Sequence, residues 1–147
     1  MHGVDISMKD FSDQTMTLAA IAPFTDSVTR IHNIGHIRFQ ESDRIHAILT
    51  ELQRMGVRCE EVPEIDGIQI FPWEKVPGDH IATKSEDAMK SGSMAESGST
   101  IIETYDDHRM AMAFTLPGLK TGNIVIKNPG CCRKTFENYF SVIDSLY

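Results

Sequence analysis

Hydrophobic and polar residues change their spacing several times along the chain, and each change predicts an element of secondary structure. Apolar and polar residues alternate in residues 4–8, and a β-branched run fills residues 28–34, so both segments are predicted to be strands. Residues 14–22 between them are rich in Met, Leu, Ala and Ile and predict a helix. Ser12 and Asp13 precede this helix and offer an N-cap.

The clearest helical pattern lies between residues 45 and 55. Its apolar residues recur three or four positions apart, as they do on one face of a helix: Ile45, Ile48, Leu49, Leu52 and Met55. Gly56 follows where a glycine commonly ends a helix. Residues 57–62 and 67–71 then predict two short strands that are joined by a turn.

The composition changes abruptly in residues 84–100, where Ser, Gly, Glu and Lys dominate and no period is visible. This segment is predicted to be a mobile loop. After it, residues 100–104 predict a strand, and a helix follows from about 108 to about 116. Asp106 or Asp107 would cap that helix, and the proline-glycine pair that follows it would end it.

The order of predicted elements repeats. Residues 123–127 predict a further strand, and Thr135 is predicted to cap a last helix. The apolar residues of that helix share one face: Phe136, Tyr139, Phe140, Ile143 and Tyr147. The chain therefore predicts an α/β (α+β) fold with a βαβαββ unit in residues 4–71 and an incomplete second unit from about Thr100. We expect an incomplete unit to belong to a longer protein.

Composition and charge exclude several classes of function. The formal net charge is −7 and no Lys/Arg-rich run occurs, which disfavours nucleic acids and anionic membranes as partners. No apolar stretch approaches the roughly 20 residues that span a bilayer, and no signal peptide is predicted. The three cysteines are predicted to be free thiols in a reducing cytoplasm. The histidines lack partner cysteines at zinc-like spacing, so no metal site is predicted.

Charged side chains gather where predicted strands end and helices begin. Asp13 lies at the first such junction, Glu41 and Arg44 at the second, and His108 and Arg109 at the third. Ligand sites are frequent there because helix N-termini present free N–H groups and a partial positive charge. A spacing of three residues would place Glu41 and Arg44 on one helix face.

Arginine at a helix N-terminus is electrostatically unfavourable, and a bound anion would remove the conflict at Arg44 and Arg109. Lys134 directly precedes the predicted last helix, so three cations could converge on one phosphate or carboxylate. The alternative is three unrelated exposed cations, with Asp13 a plain N-cap and Glu41 the partner of Arg44 in an ordinary ion pair. The pattern alone leaves both interpretations open.

Five segments resemble, in the same order, the 5-enolpyruvylshikimate-3-phosphate synthase family. They are SDQTMTLAAIA (12–22), NIGHIRFQESDRI (33–45), ELQRMGV (51–57), ETYDDHRMAMAF (103–114) and KTFENYF (134–140). The ESDR and YDDHRMAM strings are specific because each combines several unusual polar residues in a row. The resemblance implies the inside-out α/β barrel of enolpyruvyl transferases, built from repeated βαβαββ units. Residues 1–147 would then be part of the carboxy-terminal domain, without the amino-terminal domain that binds shikimate 3-phosphate.

The resemblance also implies a reaction and roles for individual residues. The enolpyruvyl group of phosphoenolpyruvate would pass to the 5-hydroxyl of shikimate 3-phosphate, phosphate would be released, and neither a cofactor nor a metal is implied. Glu41 would be the acid and base at the methylene carbon, and Asp13 would take a hydrogen bond or the proton from the attacking hydroxyl. Arg44, Arg109 and Lys134 would hold phosphoenolpyruvate, and Lys134 would also shuttle a proton.

Three further residues take supporting roles in this resemblance. His108 would orient its neighbours. His36 and Gln40 would contact shikimate 3-phosphate together with Asp13, but Gln40 stands where many members have a lysine, and His36 where some have an asparagine. Two alternatives remain: a fragment of UDP-N-acetylglucosamine enolpyruvyl transferase, which shares fold and donor, and a non-catalytic domain that only folds or associates. On any of these interpretations the chain alone is expected to show little turnover.

Overall fold

The computed structural model describes residues 1–74 and 98–146, and both segments contain strands and helices. The strands are β1 (Asp5–Ser7), β2 (Thr29–His32), β3 (Cys59–Val62), β4 (Gly67–Ile70), β5 (Thr100–Ile102) and β6 (Ile124–Ile126). The helices are α1 (Thr15–Ile21), α2 (Arg44–Arg54), α3 (His108–Thr121) and α4 (Tyr139–Ser145). Short 3-10 turns cover Ser12–Gln14, Ala22–Phe24, Gly35–Phe39, Pro63–Ile65 and Pro129–Lys134. This order confirms the predicted βαβαββ unit and the start of a second one.

The strands form two sheets. The first sheet has the order β1-β2-β4-β3, with β1 parallel to β2 and with β4 antiparallel to both of its neighbours. The second sheet pairs β5 with β6 in parallel. In each parallel pair a helix connects the two strands, as parallel neighbours require. The connections after β1 and β5 therefore lead from a strand into a helix, and the candidate site lies at these junctions.

Helices α1, α2 and α3 pack together over the first sheet and enclose the main core. Its largest fully buried side chains include Met16, Ile31, Ile48, Leu52 and Phe114. The predicted apolar face of α2 is confirmed, because Ile45, Ile48 and Leu52 are all at most 1% exposed. Gly56 has a φ of +84°, the left-handed conformation that the prediction of a C-terminal glycine requires. Among the described helices, none combines the length and apolar character needed to cross a membrane.

Three helix ends differ from their predictions. Helix α1 begins at Thr15 with Gln14 as its N-cap, and the preceding 3-10 turn contains Ser12 and Asp13 without a side-chain capping bond. The carboxylate of Asp13 is instead turned toward two arginines, as described below. The predicted N-cap is therefore wrong, because ion pairing from other segments competes with local capping.

Helix α3 runs through Pro117 and ends at Thr121, beyond the predicted stop. Proline removes one backbone hydrogen-bond donor from the helix. In the next helical turn, Thr121 Oγ1 donates to the Pro117 carbonyl at 2.9 Å, which adds a side-chain hydrogen bond there. Gly122 then ends the helix at a φ of +70°. Packing of α3 against α1 and β6 outweighs the local effect of proline.

The segment before the last helix also differs from its prediction. Thr135 ends the 3-10 turn Pro129–Lys134, and α4 begins four residues later at Tyr139 without a side-chain cap. The amides of Thr135 and Phe136 both donate to the carbonyl of Cys132, which prolongs the turn. Of the predicted apolar face, Tyr139 and Phe140 nevertheless pack against a small second core. Phe136 is exposed, and Tyr147 lies outside the described residues.

Two other predictions concern the middle of the chain and the thiols. Residues 84–97 of the predicted mobile loop lie outside the described residues, whereas Thr100 begins β5 as the strand prediction required.

Cys59, Cys131 and Cys132 are all free and buried, which confirms that they form no disulfide. Burial raises the pKa of the Cys59 and Cys132 thiols to about 11, so both are neutral near pH 7.

Candidate active site

The centre of the charged cluster is a buried ion pair between Arg44 and Asp107. Arg44 is the first residue of α2 and Asp107 is the N-cap of α3, and their side chains are 3% and 0% exposed. Arg44 Nε donates to Asp107 Oδ2 at 2.7 Å, and Nη2 donates to Oδ1 at 3.3 Å. Ser42 Oγ and the amide of Arg109 also donate to Asp107, each at 3.0 Å. The pair joins the N-termini of the two helices.

This environment shifts the pKa of Asp107. Burial by itself raises the pKa, but hydrogen bonds and attraction from Arg44, with further hydrogen bonds from Arg109 N and Ser42, outweigh it. The pKa of Asp107 is therefore held below its ordinary value, and the carboxylate is charged near neutral pH.

Asp13 connects the two arginines. Its Oδ1 accepts from Arg44 Nη1 at 3.3 Å, and its Oδ2 lies 2.9 Å from Arg109 Nη2. The Asp13 side chain is 50% exposed, unlike that of Asp107. Asp13 can therefore exchange partners with a ligand from solvent much more readily than Asp107 can.

Glu41 forms the corresponding bridge on the other side of the cluster. Its Oε2 lies 3.0 Å from His108 Nδ1, and its Oε1 lies 3.0 Å from Lys134 Nζ. The hydrogen bond to Glu41 is the main cause that raises the pKa of Lys134, so its ammonium group is charged near neutral pH. Glu41 is 37% exposed, so solvent or a ligand can reach this carboxyl group.

The structure thus brings together residues from four separate parts of the chain. Oxygen or nitrogen atoms of Glu41, Asp107 and His108 lie within 4.8 Å of one another, which links the Glu41 bridge to the arginine pair. Three cations pair with three carboxylates in this cluster: Arg44 with Asp13 and Asp107, Arg109 with Asp13, and Lys134 with Glu41. An entering anion would share the three cations with the two exposed carboxylates, Asp13 and Glu41.

His36 and Gln40 border the cluster. His36 Nε2 lies 2.9 Å from Ser12 Oγ, beside Asp13. The side-chain oxygen of Gln40 accepts a hydrogen bond from Arg44 Nη1, so Gln40 orients this guanidinium group. Both residues are close to the predicted site, and their contact with a substrate remains a prediction.

Two positional arguments from the sequence need correction. Glu41 precedes α2, so it does not share a helix face with Arg44, and Lys134 ends a 3-10 turn rather than preceding a helix directly. Glu41 reaches the cluster from the loop before α2, and Lys134 reaches it from the end of a 3-10 turn. Ser42 was not predicted as part of the site, because serine before a helix is common and its partner lies 65 residues away.

The cluster also contains the one group of potential metal ligands found among the described residues: Glu41, Asp107 and His108. Each of these groups already has a protein partner, and Asp107 is tied to the guanidinium of Arg44. A divalent cation would have to compete with this adjacent positive charge. These residues therefore fit an ion-pair network better than a metal centre.

The fold and the cluster define a class: mixed α/β proteins built from βαβα units, with a charged cluster where strands lead into helices. The family model described as EPSP synthase (3-phosphoshikimate 1-carboxyvinyltransferase) matches residues 1–143. The chain belongs to the EPSP synthase family. This confirms the resemblance found in the sequence.

Individual relatives agree with this assignment. A 3-phosphoshikimate 1-carboxyvinyltransferase from Nostoc punctiforme is 47% identical over 141 residues, which cover 96% of this chain and 28% of the relative. The chloroplastic enzyme of that name from Petunia hybrida is 38% identical over 143 residues, covering 97% of this chain and 23% of the relative. An EPSP synthase structure from Acinetobacter baumannii matches with a TM-score of 0.74 and 26% identity, covering 99% of this chain and 30% of that one. The chain thus spans less than a third of the length of these relatives.

Proposed function

We propose that this chain supplies the phosphoenolpyruvate side of an active site that transfers the enolpyruvyl group to the 5-hydroxyl of shikimate 3-phosphate. The observation that carries the proposal is the position of Glu41, a solvent-accessible carboxyl group that is bridged to Lys134 and lies beside the arginine cluster. Phosphoenolpyruvate has the matching groups, since its reactive methylene is close to both a phosphate and a carboxylate.

The residues divide the reaction between them. Glu41 protonates the methylene carbon to a methyl group, the acceptor hydroxyl attacks the adjacent carbon, and Asp13 takes the hydroxyl proton. Loss of phosphate, which accepts the proton held by Asp13 as it departs, then returns a methyl proton to Glu41 and restores the double bond. Arg44, Arg109 and Lys134 hold the phosphate and carboxylate and stabilise the negative charge of the departing phosphate.

Several supporting roles belong to the same proposal. Lys134 relays a proton, because it contacts the carboxyl group that changes protonation. His108 orients Glu41 from the opposite side. His36 and Gln40 contact shikimate 3-phosphate, most of which would be bound by an amino-terminal domain that is absent from this chain. Residues 1–147 form part of the carboxy-terminal domain, and the reaction takes place in the cytoplasm without a cofactor or metal.

A chimeric enzyme would test the proposal. The 141 matching residues of the Nostoc punctiforme relative are replaced by those of this chain, and phosphate release is measured in the presence of EDTA. We expect release that requires both phosphoenolpyruvate and shikimate 3-phosphate, and no turnover by the 147 residues alone, because half of the site is missing.

Other results of the same assay would favour the alternatives. Release with UDP-N-acetylglucosamine in place of shikimate 3-phosphate would support the other enolpyruvyl transferase. A folded chimera without turnover would support a non-catalytic domain. Turnover by the 147 residues alone would contradict the view that they carry only part of the site.

The chain alone should still bind phosphoenolpyruvate weakly, and Arg109→Ala should weaken that binding about tenfold, because one charge-assisted hydrogen bond is lost. Chemical shifts near Arg44, Arg109 and Lys134 in an NMR titration would measure it. Arg30→Ala is the matched control, since Arg30 is an exposed arginine whose ionic partner is Asp5. Unchanged shifts near all three cations would contradict the anion site.

A further inference from the structure

A strained turn delivers the α3 residues to the candidate site. Tyr105 and Asp106 lie between β5 and α3, and their φ angles are +55° and +56°. Two consecutive non-glycine residues in the left-handed region are unfavourable, so the surrounding structure must stabilise them. The next three residues are Asp107, His108 and Arg109, all members of the charged cluster.

Glu51 of α2 fastens this turn from outside the cluster. Its side chain is 0% exposed, its Oε1 accepts from Tyr105 Oη at 2.9 Å, and its Oε2 accepts from the backbone amide of Glu103 at 3.1 Å. Arg54 Nη1 lies 3.3 Å from the same Oε2 and also donates to the carbonyl of Ile101 at 3.1 Å. These contacts hold the end of β5 and the first residue of the turn against α2.

A charged carboxylate is energetically unfavourable at this buried position. Burial raises the pKa of Glu51, against the opposing effect of its hydrogen bonds, which shows that the site disfavours the charge. An apolar residue would join α2 to the rest of the core without that penalty. A carboxylate, however, has two acceptor oxygens in one plane, so it can take the phenol and the amide simultaneously.

We propose that Glu51 is a positioning residue, which holds Tyr105 and Asp106 in the left-handed turn that presents Asp107, His108 and Arg109 to the site. The inference rests on the proposed function, because the residues that Glu51 positions belong to the proposed anion site. Glu51 acts through the turn and does not touch the substrate.

The turn itself is tested by NMR on the 147-residue chain. Left-handed residues have short intraresidue HN–Hα distances and therefore strong HN–Hα cross-peaks. Glu51→Gln keeps the size of the side chain but replaces one acceptor oxygen by a donor, so the cross-peaks of Tyr105 and Asp106 should weaken. Tyr105→Phe removes only the hydroxyl donor and should also weaken these cross-peaks. It therefore tests the turn even where Glu51→Gln does not fold. Glu64→Gln, at an exposed glutamate, is the control.

The link to the site is tested by rescue. Phosphoenolpyruvate binding should weaken at least about fivefold in Glu51→Gln, measured on protein shown to be folded. Adding Asp106→Gly should restore much of it, because glycine adopts positive φ without penalty. Adding Asp106→Asn removes the same charge but keeps the side chain, so it should restore less. If Glu51 only stabilised the fold, Asp106→Gly and Asp106→Asn would restore phosphoenolpyruvate binding to the same extent.

The outcomes separate the two proposals. Unchanged cross-peaks in both Glu51→Gln and Tyr105→Phe, or equal rescue by glycine and asparagine, would overturn the positioning role. A wild-type chain that does not bind phosphoenolpyruvate would overturn the proposed function. The cross-peaks would still decide whether Glu51 holds the turn.

Discussion

Glu41→Gln is expected to lower kcat of the chimeric enzyme by about 10²–10⁴-fold, the usual contribution of a general acid–base residue. Glutamine matches glutamate in size and can still accept a hydrogen bond from Lys134, but it cannot deliver a proton to the methylene carbon or remove one. The KM for phosphoenolpyruvate should change much less, because Arg44, Arg109 and Lys134 still hold its anionic groups. Steady-state phosphate release measures both constants.

The control for this prediction is Glu64→Gln, which changes an exposed glutamate and should leave both constants unaltered. A Glu41→Gln chimera that retains most of its kcat would exclude Glu41 as the acid and base.

Arg44→Ala is expected to destabilise the chain by about 3–5 kcal/mol, because it leaves the fully buried carboxylate of Asp107 without its charged partner. Urea unfolding followed by circular dichroism would measure the loss. Arg30→Ala should have little effect, since Arg30 is exposed. The double variant Arg44→Ala/Asp107→Ala should be more stable than Arg44→Ala, because it buries no unpaired charge.

The pH dependence of this loss follows from the lowered pKa of Asp107. In the wild type, the stability gained from the charged Asp107 is fully present above the pKa of an unfolded aspartate. It is lost as the pH falls through the lower pKa of the folded state. The stability difference between wild type and Arg44→Ala should therefore be largest near neutral pH and shrink in acid. A difference that is constant down to strongly acidic pH would contradict the assigned ion pair.

Local sequence patterns were sufficient for the elements but not for all of their ends. The apolar spacing of α2 and the glycine at 56 predicted both the helix and its end, because both depend on residues within a few turns. The stop predicted at Pro117 was wrong, since packing of α3 against α1 and β6 compensates for the lost backbone donor. The cap predicted at Asp13 was wrong for a related reason, since Arg44 and Arg109 compete for its carboxylate.

The sequence by itself determined the βαβα order, the family and the set of charged residues that form the cluster. Those properties depend on residue type and on spacing along the chain. Only the tertiary structure decided which charges are partners, that Asp107 is buried while Asp13 and Glu41 remain accessible, and that Glu51 fastens a left-handed turn. These contacts join residues 31 to 96 positions apart, and nothing in the local sequence reports which distant atoms will meet when the helices pack.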